Sequence, residues 1–68
     1  MRINAGYIII YSSKVTDDTE IVLGYHPITE MYVTWVCCDG NNYFWGHYFQ
    51  NESVALIDLS ERIEGAKN

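Results

Sequence analysis

Met31-Tyr32-Val33-Thr34-Trp35-Val36-Cys37-Cys38-Asp39-Gly40-Asn41-Asn42-Tyr43-Phe44-Trp45-Gly46-His47-Tyr48-Phe49 is the stretch that decides the fold. Two aromatic-rich runs lie on either side of Asp39-Gly40-Asn41-Asn42, residues that tolerate positive φ at little cost. The flanking Val, Thr, Trp, Tyr and Phe favour a pleated, half-buried surface, so the stretch predicts a β-hairpin. Seven of the chain's ten aromatic residues fall inside it, which makes it the centre of any core the chain builds.

With a loop of two or four residues, alternation along the hairpin sorts its side chains into two faces. Met31, Val33, Trp35, Cys37, Phe44, Gly46 and Tyr48 share one; Tyr32, Thr34, Val36, Cys38, Tyr43, Trp45, His47 and Phe49 share the other. Gly46 leaves a gap that the ring of Trp35 on the neighbouring strand can cover, so the first face is expected against the core. The second face is then expected to point away from the helix, bringing Tyr32, Tyr43, Trp45, His47 and Phe49 together as a candidate binding surface. Exposed apolar area of that kind marks interaction sites, unless the first strand, its loop or the N-terminal residues fold over it.

Upstream, Ile3 to Ser13 reads as a first strand through the run Tyr7-Ile8-Ile9-Ile10-Tyr11, and Ser12 to Thr19 is a polar turn or loop. Glu20 to Tyr25 reads as a second strand, which His26-Pro27 ends because proline cannot donate to a ladder. Connections this short between consecutive strands favour antiparallel pairing, because a parallel pair needs a crossover of about a dozen residues or more. Downstream, Asn51 is a helix cap, Glu52 suits the first turn and Gly65 stands at the expected end, which predicts a helix over 52–64. Its apolar stripe is Ala55, Leu56, Leu59 and Ile63, with Asp58, Ser60, Glu61 and Glu64 at the edges or beyond. The predicted fold is α+β: a small antiparallel β-meander of three to four strands with one C-terminal helix packed on one face, in one domain over residues 1–68.

A chain of 68 residues buries only about 60% of its unfolded surface, so it needs a dense core or a partner. Apolar residues at 49% argue against disorder, and no apolar run is long enough for a membrane span. No secretory signal is read at the N-terminus, and the cytoplasm is the expected location. Cys37 and Cys38 are adjacent in a strand, where their side chains point to opposite faces, so both are expected as free thiols. A net charge of −5, with only Arg2, Lys14, Arg62 and Lys67 as cations, argues against binding nucleic acid through phosphate neutralisation.

The chemistry-bearing residues form no recognised constellation. His26, His47, Cys37 and Cys38 lack the paired short spacings of a zinc site, so no metal or other cofactor is expected. A thiolate at Cys38 activated by His47 across the hairpin is conceivable, but no third orienting group accompanies it and cysteine usually packs as a small hydrophobe, so no enzyme is expected.

Tyr32-Val33-Thr34-Trp35, then Tyr43 to Phe49, then Ala55 to Arg62 with Asp58 between them, resembles short uncharacterised proteins carried by phages and conjugative elements of gut bacteria. The likeness covers about half of the chain. It implies a genomic setting in which small acidic proteins bind and block host proteins. The sequence thus predicts a small acidic, non-enzymatic protein-interaction module with a protein partner or a second copy of itself. The alternatives are a binder of single-stranded nucleic acid or a small ligand on the aromatic face, and a Cys/His-dependent enzyme.

Overall fold

The computed structural model describes residues 1–67. Five strands, β1 (Ile3–Asn4), β2 (Tyr7–Lys14), β3 (Thr19–Tyr25), β4 (Tyr32–Cys38) and β5 (Asn42–Phe49), pair in chain order as an antiparallel meander curled into a half-barrel. One helix, α1 (Glu52–Lys67), packs against the sheet. The α+β meander is the architecture expected, with one more strand than predicted.

That strand arises at the N-terminus. Ala5 and Gly6 both adopt positive φ, 52° and 83°, and form a two-residue turn that folds Ile3-Asn4 back onto Tyr7-Ile8. Gly6 is required twice over, because a Cβ there would also stand 2.7 Å from Nε2 of His26. The reading of Ile3 to Ser13 as one continuous strand is thereby corrected. The β3–β4 connection is held by His26, whose Nδ1 accepts the N–H groups of Ile28 and Thr29, while the Glu30 N–H returns to the His26 carbonyl at 2.7 Å.

The hairpin is present, but its side chains are sorted differently. Cys38 pairs with Asn42, which leaves a loop of three residues and reverses the parity assumed for Tyr43 and Phe44. A bulge between the Thr34–His47 and Val36–Phe44 pairs reverses it again, so His47, Tyr48 and Phe49 lie where the alternation put them. Tyr43 therefore belongs with Val33, Trp35, Cys37 and Tyr48, and Phe44 lies across from Val36.

The helix also takes the opposite face from the one expected. Ala55 and Leu59 are buried with Ile21 and Leu23, flanked by Val15, Tyr32, Val36, Phe49 and Ile63. Val22, Val33, Trp35 and Cys37 form a second cluster on the other face, packed by Tyr7, Ile9 and Tyr43. Trp35 does cover Gly46, where a Cβ would lie 2.7 Å from its Nε1, but it does so away from the helix. The physical reason is that the Trp35 face fills itself: rings of Tyr7, Tyr43 and Tyr48 pack edge-on or tilted around Trp35 at 5.5–6.3 Å. Arg2 closes that face by bonding both carboxylate oxygens of Glu20, at 3.1 and 3.0 Å. The other face offers flat apolar ground at Ile21 and Leu23 and one polar group, Thr34, suited to the flank of the helix.

Asn51 caps α1 as expected, its side-chain oxygen accepting the N–H of Ser53 at 2.9 Å. The helix does not stop at 64. Gly65 is exposed, would present a Cβ to open space and takes no left-handed conformation, so the helix runs through it to Lys67 at a cost of about 1 kcal/mol.

Candidate functional site

β5 is one edge of the sheet, and its bulge places Trp45 at φ 55°. The left-handed region costs a non-glycine residue about 1–2 kcal/mol, and for a bulky ring it is a marked departure from ordinary backbone. The indole that results is 73% exposed. Its ring packs edge-on against Phe44, with centroids 5.0 Å apart and planes at 82°. Strain of this kind persists where neighbours over-determine it; here Trp35 pins Gly46 on one side and the Thr34–His47 pair holds the other.

Next to the bulge, on the helix side, lies a polar network. The Thr34 hydroxyl, fully buried, donates to Oδ2 of Asp58 at 2.6 Å and accepts from the Arg62 guanidinium at 2.9 Å; Arg62 also donates to the Thr34 carbonyl. Nδ1 of His47 meets the same carboxylate at 3.0 Å. Burial by itself would raise the Asp58 carboxyl, but the hydrogen bonds from Thr34 and His47, with the charges of His47 and Arg62, hold it below the ordinary carboxylate value. Burial in turn pulls the Arg62 guanidinium down, with the Asp58 charge opposing. His47 and Asp58 have the outline of an acid–base dyad, yet the hydroxyl nearest them is sealed beneath the helix with both its roles filled. The arrangement ties α1 to β4 and β5.

The five residues expected to form one binding face are not brought together. Tyr32 and Phe49 are half-buried against the helix cluster, and Tyr32 packs on Tyr25 at 4.9 Å. His47 is engaged with Asp58. Tyr43 lies on the opposite face, tilted against Trp35 and accepting a hydrogen bond from Nε of Arg2 at 3.2 Å. Of that set Trp45 and His47 are exposed, and Trp45 alone of the two is without a hydrogen-bonded partner among the described residues. Tyr32, Val36 and Phe49 instead pack against the cluster that the helix covers.

Nor do Cys38 and His47 approach each other. Cys38 pairs with Asn42 and His47 with Thr34, four residues along β4 and so about 13 Å apart. Cys37 and Cys38 are free thiols, one fully buried and the other partly so. Burial chiefly, and the Glu20 charge secondarily, push the Cys37 thiol up. Alkylation at neutral pH with mass-spectrometric readout is therefore expected to modify Cys38 in the native protein and Cys37 only on addition of denaturant. Equal labelling of both without denaturant contradicts the burial of Cys37.

Sequence reasoning missed Thr34, Asp58 and Arg62 as site residues. The signal was the pair Asp58 and Arg62 at a spacing of four on one flank of the helix, which marks neighbours on its surface. Comparison with protein-family models, with curated proteins and with solved structures gives no match to this chain.

Proposed function

We propose that the chain is a small non-enzymatic protein-interaction module anchored by Trp45. The observation that carries this is the exposed indole held at positive φ in the bulge of an edge strand. Glycine is the residue that suits such a backbone, so a tryptophan there is retained against its own conformational cost. Tryptophan is also the residue most enriched among interface hot spots. The polar network beneath the bulge supports the anchor's position without offering a reaction centre. Cation usage favours a protein over a nucleic acid as partner: Arg2 is taken by Glu20, Arg62 by Thr34, and Lys14 donates to the Asp17 carbonyl. A net charge of −5 favours a basic partner surface, and the resemblance to proteins of mobile elements favours a host protein.

Trp45→Gly separates anchor from scaffold. It relieves left-handed strain of about 1–2 kcal/mol, loses a ring contact with Phe44 of about 0.5–1.5 kcal/mol and adds some chain entropy to the unfolded state. Stability is expected to stay within about 1 kcal/mol of wild type by urea melting, while capture of a specific protein from host lysate is lost. Capture undiminished by Trp45→Gly removes the anchor, and recovery of nucleic acid alone points to base stacking instead.

A further inference from the structure

The other edge of the sheet is open as well. β1 pairs with β2 only at Tyr7 and Ile8, with one further bond from the Ile9 N–H to the Arg2 carbonyl at 2.9 Å. From Ile10 to Lys14 nothing covers the outer side of β2 among the described residues. The Val15 N–H bonds the Thr19 carbonyl, which fixes the phase of the ladder: Ser13 and Tyr11 turn their backbone groups toward β3, and Ser12 and Lys14 turn theirs outward. Hollows flank this edge on both faces. One, of about 370 Å³, lies between Tyr11 and the helix residues Leu56 and Ile63; the other, of about 360 Å³, lies on the opposite face beside Ile9, Ser12 and Arg2. Unpaired ladder groups with a hollow on each side are what an extended segment fills, since its side chains alternate between the two faces.

Charge says which segment. Glu52 lines the helix-side hollow, and Asp17 and Asp18, three and four residues beyond Lys14, line a further hollow with it at the other end of the edge. We propose that Ile10 to Lys14 takes up an extended segment of a partner protein as a sixth strand, a segment with apolar side chains toward Leu56 and a lysine or arginine reaching Glu52. A second copy of this chain is disfavoured as the occupant, because two bodies of net charge −5 would meet edge to edge. The proposal rests on the protein-interaction reading but uses a surface remote in the sheet order from Trp45, at the far edge from β5.

The test is a titration of the ¹⁵N,¹³C-labelled full chain with a synthetic peptide of about eight residues whose alternate positions carry valines and one terminal lysine for the helix-side hollow, with threonines between them for the other face, and the same peptide with glutamate in place of the lysine as control. The basic peptide is expected to slow amide exchange at Ser12 and Lys14 and to shift the Leu56 methyl signals, and the acidic one to do neither. Ser12→Pro withdraws an outward N–H and leaves the β3 ladder intact, and is expected to weaken binding about tenfold. Leu56→Lys, at an exposed position and with its fold checked by a urea melt, should weaken it by a similar factor through like charge. Equal response to both peptides, no response, or perturbation centred on Trp45 overturns the proposal. So does slowed exchange at Ser12 in the peptide-free chain with a doubled sedimentation mass, which assigns the edge to a second copy. Should the edge fail while Trp45-dependent capture persists, the interaction reading stands without it.

Discussion

Trp35→Ala is expected to lower stability by about 3–5 kcal/mol, enough to abolish a cooperative melt. Trp35 is 4% exposed and stands at the middle of the face away from the helix, over Gly46 and among Tyr7, Tyr43 and Tyr48. Two of those rings are held from following the alanine into the gap. Tyr43 is bonded to Arg2 through its hydroxyl, Tyr7 is packed edge-on against His26 at 5.0 Å, and Gly46 has no side chain to contribute. The cavity therefore stays open and its surrounding contacts are lost rather than rearranged. A domain of this size has about 3–10 kcal/mol in total, so the loss consumes about three-tenths of it at least. Thermal melting followed by near-ultraviolet circular dichroism checks this: a variant with a sharp transition within about 10 °C of wild type shows that the Trp35 cluster is not the second core. Trp35→Phe keeps one ring in place and is expected to lose roughly half as much.

Trp35 was legible as core from the sequence, through the empty site at Gly46, yet the side of the sheet it occupies was not. The inference from alternation is sound within a strand and fragile across a turn. Asp39-Gly40 announces a turn whatever its length, and a loop of three residues in place of two or four exchanges Tyr43 with Phe44. The bulge that undoes the exchange depends on Trp45 accepting a positive φ, and no propensity places a tryptophan there. The same applies to Ala5, whose left-handed conformation makes a turn out of what reads as strand interior. What could be read were elements with side-chain chemistry of their own: the cap at Asn51, the stop at His26-Pro27, the stripe through Ala55 and Leu59. Trp45 entered the candidate site as one aromatic among five. It remains there for a different reason, that the backbone turns it outward, while Tyr32, Tyr43 and Phe49 are drawn into the two cores.

Asp58→Ala is expected to destabilise by about 2–3 kcal/mol at neutral pH, more than a surface carboxylate ordinarily contributes. The carboxylate accepts from a Thr34 hydroxyl with no exposure at all and answers the charge of Arg62, so its removal leaves a buried donor unmet and a guanidinium under the helix without its counter-ion. The His47 contact adds little to this figure, because that ring is half exposed and screened by solvent. The pH dependence follows from the depressed carboxyl of Asp58. A group with a lower pKa folded than unfolded stabilises fully above its unfolded value, about 4, and that stabilisation is lost as pH falls through the folded value below it. The gap between wild type and Asp58→Asn is therefore expected to be constant from about pH 7 to pH 5 and to close below about pH 4. Asp18, whose carboxyl is also depressed by hydrogen bonds from Thr16 and Thr19, contributes to the acid limb of both proteins and cancels in the difference. Urea melts at a series of pH values measure the gap. A gap unchanged down to about pH 2 places the effect in packing rather than in the charge of Asp58, and no gap at neutral pH means that the network does not tie the helix to the strands beside Trp45.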